Sequence, residues 1–100
     1  MKRIFLGLTI ALLAPASSMA ASASEQSCRA CHVMDTTLVG PGFNQIAARY
    51  KGDAEAIQKL KTSMLEGSAG KWGTIAMPAN KELTAAEADR FAHWIMSLNK

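Results

Sequence analysis

Apolar residues along this chain fall into one unbroken run and three periodic stretches. The run, Ile4 to Leu13, follows Lys2 and Arg3 and is broken by Pro15, with the small residues Ser18 and Ala20 at cleavage-site spacing. That order reads as a secretory signal peptide, because the run of ten residues falls short of the roughly 20 that a membrane-spanning helix needs. Cleavage is expected after Ala20, dividing the chain into a leader over 1–20 and a domain over 21–100. Ala21-Ser22-Ala23 offers a second small-residue site, with cleavage after Ala23.

The three periodic stretches predict helices. Phe43, Ile46, Ala47 and Tyr50 recur at i, i+3, i+4 and i+7 and end at Lys51-Gly52. Asp53 is a suitable N-cap for a second helix with Ile57, Leu60 and Met64 on its inner face and Gly67 as its C-cap. Thr84-Ala85-Ala86-Glu87 is a capping box with Leu83 and Ala88 at the staple positions, opening a helix whose apolar face is Ala88, Phe91, Ala92, Ile95 and Leu98. A short helix is expected to run from the small, polar Ala21–Ser27 segment into Cys28. Between the helices lie a tight turn at Gly40-Pro41-Gly42 and a long aperiodic loop from Gly67 to Asn80, of a length that in compact domains usually carries function. No strand candidate, repeat or low-complexity linker interrupts this pattern, so the fold class is all-α with about four helices.

Composition changes the picture only slightly. A chain of 100 residues, 49% hydrophobic with formal charge +3, holds one domain. Without Lys2 and Arg3 the eleven basic side chains become nine, against eight acidic ones. The basic residues are dispersed and do not alternate with aromatics, which excludes a nucleic-acid-binding surface. A domain this small needs a staple beyond its core, and a cofactor can be that staple.

Cys28-Arg29-Ala30-Cys31-His32 matches C-x-x-C-H, the attachment motif for c-type haem. Two thiols three positions apart on a helical turn can each form a thioether with one vinyl group of a porphyrin, and the next residue offers an imidazole to the iron. A thioredoxin-like redox disulfide would need strands for its βαβ setting, and a structural zinc site would need four ligands where only Cys28, Cys31, His32 and the distant His93 exist. For the other axial position Met77 stands out, since it lies in the aperiodic loop before Pro78 and serves no helical face. Its alternative role is core filler. Met64 and Met96 belong to or border helix inner faces, Met34 follows His32 too closely, and His93 reads as a surface or half-buried histidine.

With these residues in view, the chain from Cys28 nearly to its C-terminus resembles the bacterial class I cytochromes c of the short c-551/c-552 (c8) type. The motifs are Cys28-Arg29-Ala30-Cys31-His32, Asp35-Thr36, Val39-Gly40-Pro41, Gly67-Ser68, Trp72-Gly73, Met77-Pro78 with Asn80, and Trp94. The resemblance implies one covalent haem c and its iron in a small class I cytochrome c fold, with His32 as proximal and Met77 as distal ligand. It implies further that the Pro41 carbonyl accepts from the His32 ring, that Trp72 donates toward a haem propionate, and that Asn80 bonds near the Met77 sulfur. In two places the chain departs from the pattern. The N-terminal segment has Ala23 and Ser27 where an aromatic usually packs against the last helix, and Ser63 stands where an arginine is usual near the propionates.

The function expected is therefore single-electron transfer in the periplasm by a monomeric protein that is not an enzyme and is not inserted in the membrane. Its donor would be a bc1-type complex or another quinol-oxidising protein, and its acceptor a terminal oxidase or nitrite reductase. Arg29, Lys71 and Lys81 are expected to rim the exposed haem edge. A small haem peroxidase or gas sensor would require an open distal site, against which Met77 argues. A cytochrome subunit of a larger respiratory complex would share the same sequence features.

Overall fold

The computed structural model describes Gly7, Thr9 and residues 22–100, so the expected leader and its cleavage after Ala20 lie outside the described residues, those two positions aside. Four α-helices follow in order: α1 (Ala23–Gln26), α2 (Phe43–Arg49), α3 (Ala56–Glu66) and α4 (Ala85–Ser97), with a 3-10 turn over Ser27–Ala30 between the first two. No strand occurs among the described residues, only isolated bridges joining His32 to Thr37 and Ser68 to Met77. None of the helices found among them is long and apolar enough to cross a membrane.

The periodic residues form the core. Phe43, Ile46 and Ala47 from α2, Leu60 and Met64 from α3, and Ala88, Phe91, Ala92 and Ile95 from α4 are all buried in one cluster. Ala88 and Ala92 are completely buried, and their small side chains let α3 lie close along α4. At the start of α4 the capping box forms as its sequence predicts: Glu87 N donates to Thr84 Oγ1 at 3.1 Å and Thr84 N to Glu87 Oε1 at 3.0 Å. Leu83 and Ala88 are both buried beside it.

Helix α3 starts later than its cap suggests. Asp53 Oδ1 accepts from Glu55 N at 2.8 Å, but residues 54–55 form a turn and the α-helix begins at Ala56. The carboxylate satisfies a turn amide there instead of a helical one, and Lys59 fixes its other oxygen at 2.7 Å.

Helix α1 and α4 join without the aromatic that the resemblance implied. Glu25, with only 3% of its side chain exposed, receives Arg90 Nη2 at 2.8 Å, and Ser24 Oγ donates to Glu87 Oε2 at 3.1 Å. A second box closes α1: Ser22 N donates to Glu25 Oε2 at 2.7 Å, and Glu25 N to Ser22 Oγ at 3.2 Å. The Ser22-Ala23-Ser24-Glu25 spacing is a capping box that sequence reading passed over. Polar bonds thus do the work of ring packing, because a helix of one turn has too little apolar face to dock by burial alone.

Glu87 links this junction to pH. Hydrogen bonds from Ser22 and from the Thr84 amide and hydroxyl hold its carboxyl down at about 2, from an ordinary 4.5. Because the folded form binds its proton more weakly than the unfolded form, the stabilisation is complete above the ordinary value and is lost as pH falls through about 2. Glu87→Gln removes that dependence, so acid unfolding of the variant, followed by far-UV circular dichroism, shows a flatter stability curve between about pH 4.5 and 2 than the wild-type protein.

Candidate cofactor site

The motif lies at the end of the 3-10 turn, where Cys31 N and His32 N both reach Cys28 O, at 3.2 and 3.0 Å. The chain then folds back on itself. Gly40 N donates to Cys31 O at 2.9 Å, and the first amides of α2, Phe43 N and Asn44 N, donate to the carbonyls of Val33 and Met34 at 2.8 and 2.9 Å. Backbone from the segment after the motif thereby satisfies amides that α2 cannot pair internally, and α2 is fixed to the motif.

This fold-back sets the imidazole. His32 Nδ1 donates to the Pro41 carbonyl at 2.7 Å, in a buried environment. A carbonyl only accepts, so the proton sits on Nδ1 and Nε2 keeps its lone pair for a metal. The ring packs 5.5 Å from Phe43, which meets Phe91 and Trp94 of α4 edge-on at 5.5 and 5.2 Å. Gly40 leaves the ring its room, since a Cβ there would overlap His32 Cε1 and lie 2.9 Å from Nδ1.

Met77 is brought in from the other side of the chain by the long loop. Gly67 ends α3 with φ of 81°, and Ser68 and Met77 exchange two backbone bonds, Ser68 N to Met77 O at 3.0 Å and Met77 N to Ser68 O at 2.8 Å. A Cβ on Gly67 would lie 2.7 Å from the Met77 carbonyl, so only glycine lets the two ends of the loop close. Asn80 N then donates to Met64 O at 2.9 Å, using a carbonyl at the end of α3.

Between motif and loop lies a cavity of about 640 Å³, inside the roughly 300–1,000 Å³ range of cofactor sites. Cys28, Cys31, His32, Pro41, Trp72, Met77 and Asn80 all line it, so every site residue expected from sequence is brought to one place. Its deeper wall includes Ile46, Leu60, Phe91 and Ile95. Neither cysteine is in a disulfide, and burial pushes the Cys28 thiol up from its usual value. A thioredoxin-like redox pair would sit in a βαβ setting, and no strand occurs among the described residues. Two unpaired thiols, an imidazole with Nε2 free and a thioether around an apolar cleft fit a covalently held haem with its iron.

Arg29 and Asn80 are placed differently from expectation. Arg29 does not line the cavity but lies over the Phe43 and Trp94 rings, at 5.6 and 5.5 Å from their centroids, whereas Lys71 and Lys81 do line it. Asn80 Nδ2 donates to Ser24 O at 3.2 Å and approaches Ser27 Oγ at 3.4 Å, tying the loop to α1. His93 is exposed and bonds Asp89 O at 2.8 Å, as a surface histidine does. Met64 is core, and Met34 and Met96 pack at the core's margin. Arg49 was unmarked by any motif, yet its guanidinium stacks 4.4 Å over the Trp72 ring and donates to Lys71 O at 2.5 Å, holding the tip of the loop to α2.

The comparisons agree with this geometry. The family model for cytochrome c matches residues 19–99. Cytochrome c-551 of Allochromatium vinosum is 35% identical over 94 residues, covering 94% of this chain and 98% of that protein. Cytochrome c-552 of Nitrosomonas europaea is 40% identical over 76 residues, covering 76% of this chain and 74% of that protein. The crystal structure of wild-type Nitrosomonas europaea cytochrome c552 superposes with a TM-score of 0.73 at 39% identity, covering 77% of this chain and 95% of that one. The chain therefore belongs to the cytochrome c family. It is an electron carrier with one covalent haem c, and Cys28 and Cys31 occupy the attachment positions of its C-x-x-C-H motif.

Gly40→Ala should force the His32 ring away from the Pro41 carbonyl. The expected loss is about 1–3 kcal/mol of stability, the range for overpacking a closed site, measured by denaturant unfolding of the protein.

Proposed function

We propose that this protein is a periplasmic monohaem carrier in which His32 and Met77 are the two axial ligands and that it passes single electrons between respiratory partners. The observation that carries this reading is the closure of the Gly67–Asn80 loop, which puts Met77 on the wall of the cavity that His32 and both cysteines also line. The haem supplies the one-electron ferric/ferrous couple. The protein's part is to hold one geometry through both states. Pro41 fixes the imidazole, the two Ser68–Met77 backbone bonds fix the approach of the thioether, and the apolar wall keeps water off the iron. A thioether favours the ferrous state more than a second imidazole does, which raises the reduction potential. With His32 and Met77 both on the wall of one cavity, a haem held there would have two side chains to fill its axial positions and would leave no open site for a substrate, which favours a carrier over a peroxidase or gas sensor.

The charged lead into the Ile4–Leu13 run supports export, and haem attachment of this kind takes place outside the cytoplasm. Cleavage after Ala20 leaves Ser22 in place to cap α1 through Glu25, whereas cleavage after Ala23 would remove that cap. The donor we propose is a quinol-oxidising complex of the bc1 type, and the acceptor a terminal oxidase or nitrite reductase. Lys71 and Lys81 lie at the cavity and Leu38 and Ile75 stand exposed beside them, which suits a partner with an acidic, partly apolar face.

Met77→Ala decides the axial assignment. In the wild-type holoprotein we expect the weak near-infrared band of methionine-bound ferric haem and no ready binding of carbon monoxide when reduced. In the variant the band should vanish, carbon monoxide should bind, and the potential should fall. A variant that keeps the band would remove Met77 from the iron. Electron transfer to a purified acceptor should also slow as salt rises, because exposed charges are screened over about 10 Å at 0.1 M ionic strength.

A further inference from the structure

The cavity lining has a one-sided charge. Lys71 and Lys81 line it, and among the described residues no carboxylate does. In the ion pairs among those residues, Lys59, Lys61 and Arg90 each face a carboxylate. Lys71 and Arg49 are held instead by neutral groups. Lys71 Nζ lies 3.3 Å from Ser63 Oγ, across from α3, and Arg49 is held by the Lys71 carbonyl and the Trp72 ring. Ser63, Lys71 and Trp72 all line the cavity, and an ammonium and a hydroxyl meet on a wall that the indole also lines. The first two leave hydrogen-bonding capacity unused, and their net charge calls for an anion.

We propose that Lys71, with Ser63 beside it, binds a carboxylate of the haem, and that Arg49 is a positioning residue that fixes Lys71 and Trp72 for this contact. The proposal rests on the haem-carrier reading above. Position 63 has no cation of its own, and here the cation comes from the loop and reaches back to that position. Arg49 suits the positioning role because its planar group stacks on the Trp72 indole while one N–H holds the carbonyl of the preceding residue, Lys71, two contacts an ammonium cannot make together. A cation bound at the cofactor's carboxylate offsets negative charge near the iron and so favours the reduced state, as does any positive charge brought close.

The test is a redox titration of holoproteins. Lys71→Met should lower the equilibrium constant for reduction by about tenfold, about 59 mV for a one-electron couple, while covalent haem and the methionine band persist. Ser63→Ala should shift it in the same direction by less and serves as the milder probe should Lys71→Met attach haem poorly. Lys71→Arg should hold the wild-type potential. Arg49→Lys keeps the charge but loses the stack, and should lower the potential of the holoprotein while covalent haem and the methionine band persist. An unchanged potential in Lys71→Met with the haem spectrum intact would overturn the proposal and leave the carrier reading standing. So would an equal drop in Lys81→Met, since that would be the field of the whole cavity and not a site. Absence of covalent haem from the wild-type protein would overturn both.

Discussion

The bond from His32 Nδ1 to the Pro41 carbonyl is the constraint on which the rest of the molecule depends. It joins the motif to the turn that starts α2, and it decides which ring nitrogen is free. The fold-back that makes it also supplies carbonyls to the first amides of α2, so helix, turn and imidazole are held by one set of backbone bonds. Phe43 carries the constraint onward, since it stacks near His32 on one side and meets Phe91 and Trp94 of α4 on the other. Aromatic pairs of this kind add about 0.5–1.5 kcal/mol each beyond their buried area. The imidazole is thus seated against the most aromatic part of the core, and a change in either is felt by the other.

The methionine side is built on another principle. A loop with no helical period has no apolar stripe to dock, and it is held by a few directional bonds at its base and tip. The base is the Ser68–Met77 pair closed over Gly67, and the tip is Trp72 under Arg49. Between these points residues 73–76 are exposed. For electron transfer this division is useful. The two ends of the loop are pinned by these bonds, while its exposed middle remains available to a partner.

Cofactor and fold support one another in a protein of this size. The helices bury one small cluster, and Leu60, Phe91 and Ile95 give it a face on the cavity. A haem held there covers that face and adds covalent links to the motif, which is the kind of staple a domain with so little core requires.

Much of this was legible from residue order alone. Helical periods gave α2, α3 and α4, because burial of one face at 3.6-residue spacing is a local rule. The capping box of α4 was equally local. The motif Cys28-x-x-Cys31-His32 specified its cofactor, because two thiols and an imidazole at that spacing suit one chemistry. Met77 was singled out by exclusion, as a large apolar residue with no helix to serve, and the fold puts it on the cavity wall. By contrast, tertiary structure decided what depends on residues far apart in sequence. The Glu25–Arg90 pair replaces an absent aromatic, Arg29 turns away from the cavity onto Phe43 and Trp94, and Arg49 reaches across to the loop. Long polar side chains have no period and several possible partners, so their roles are fixed only when the fold has chosen which neighbours they meet.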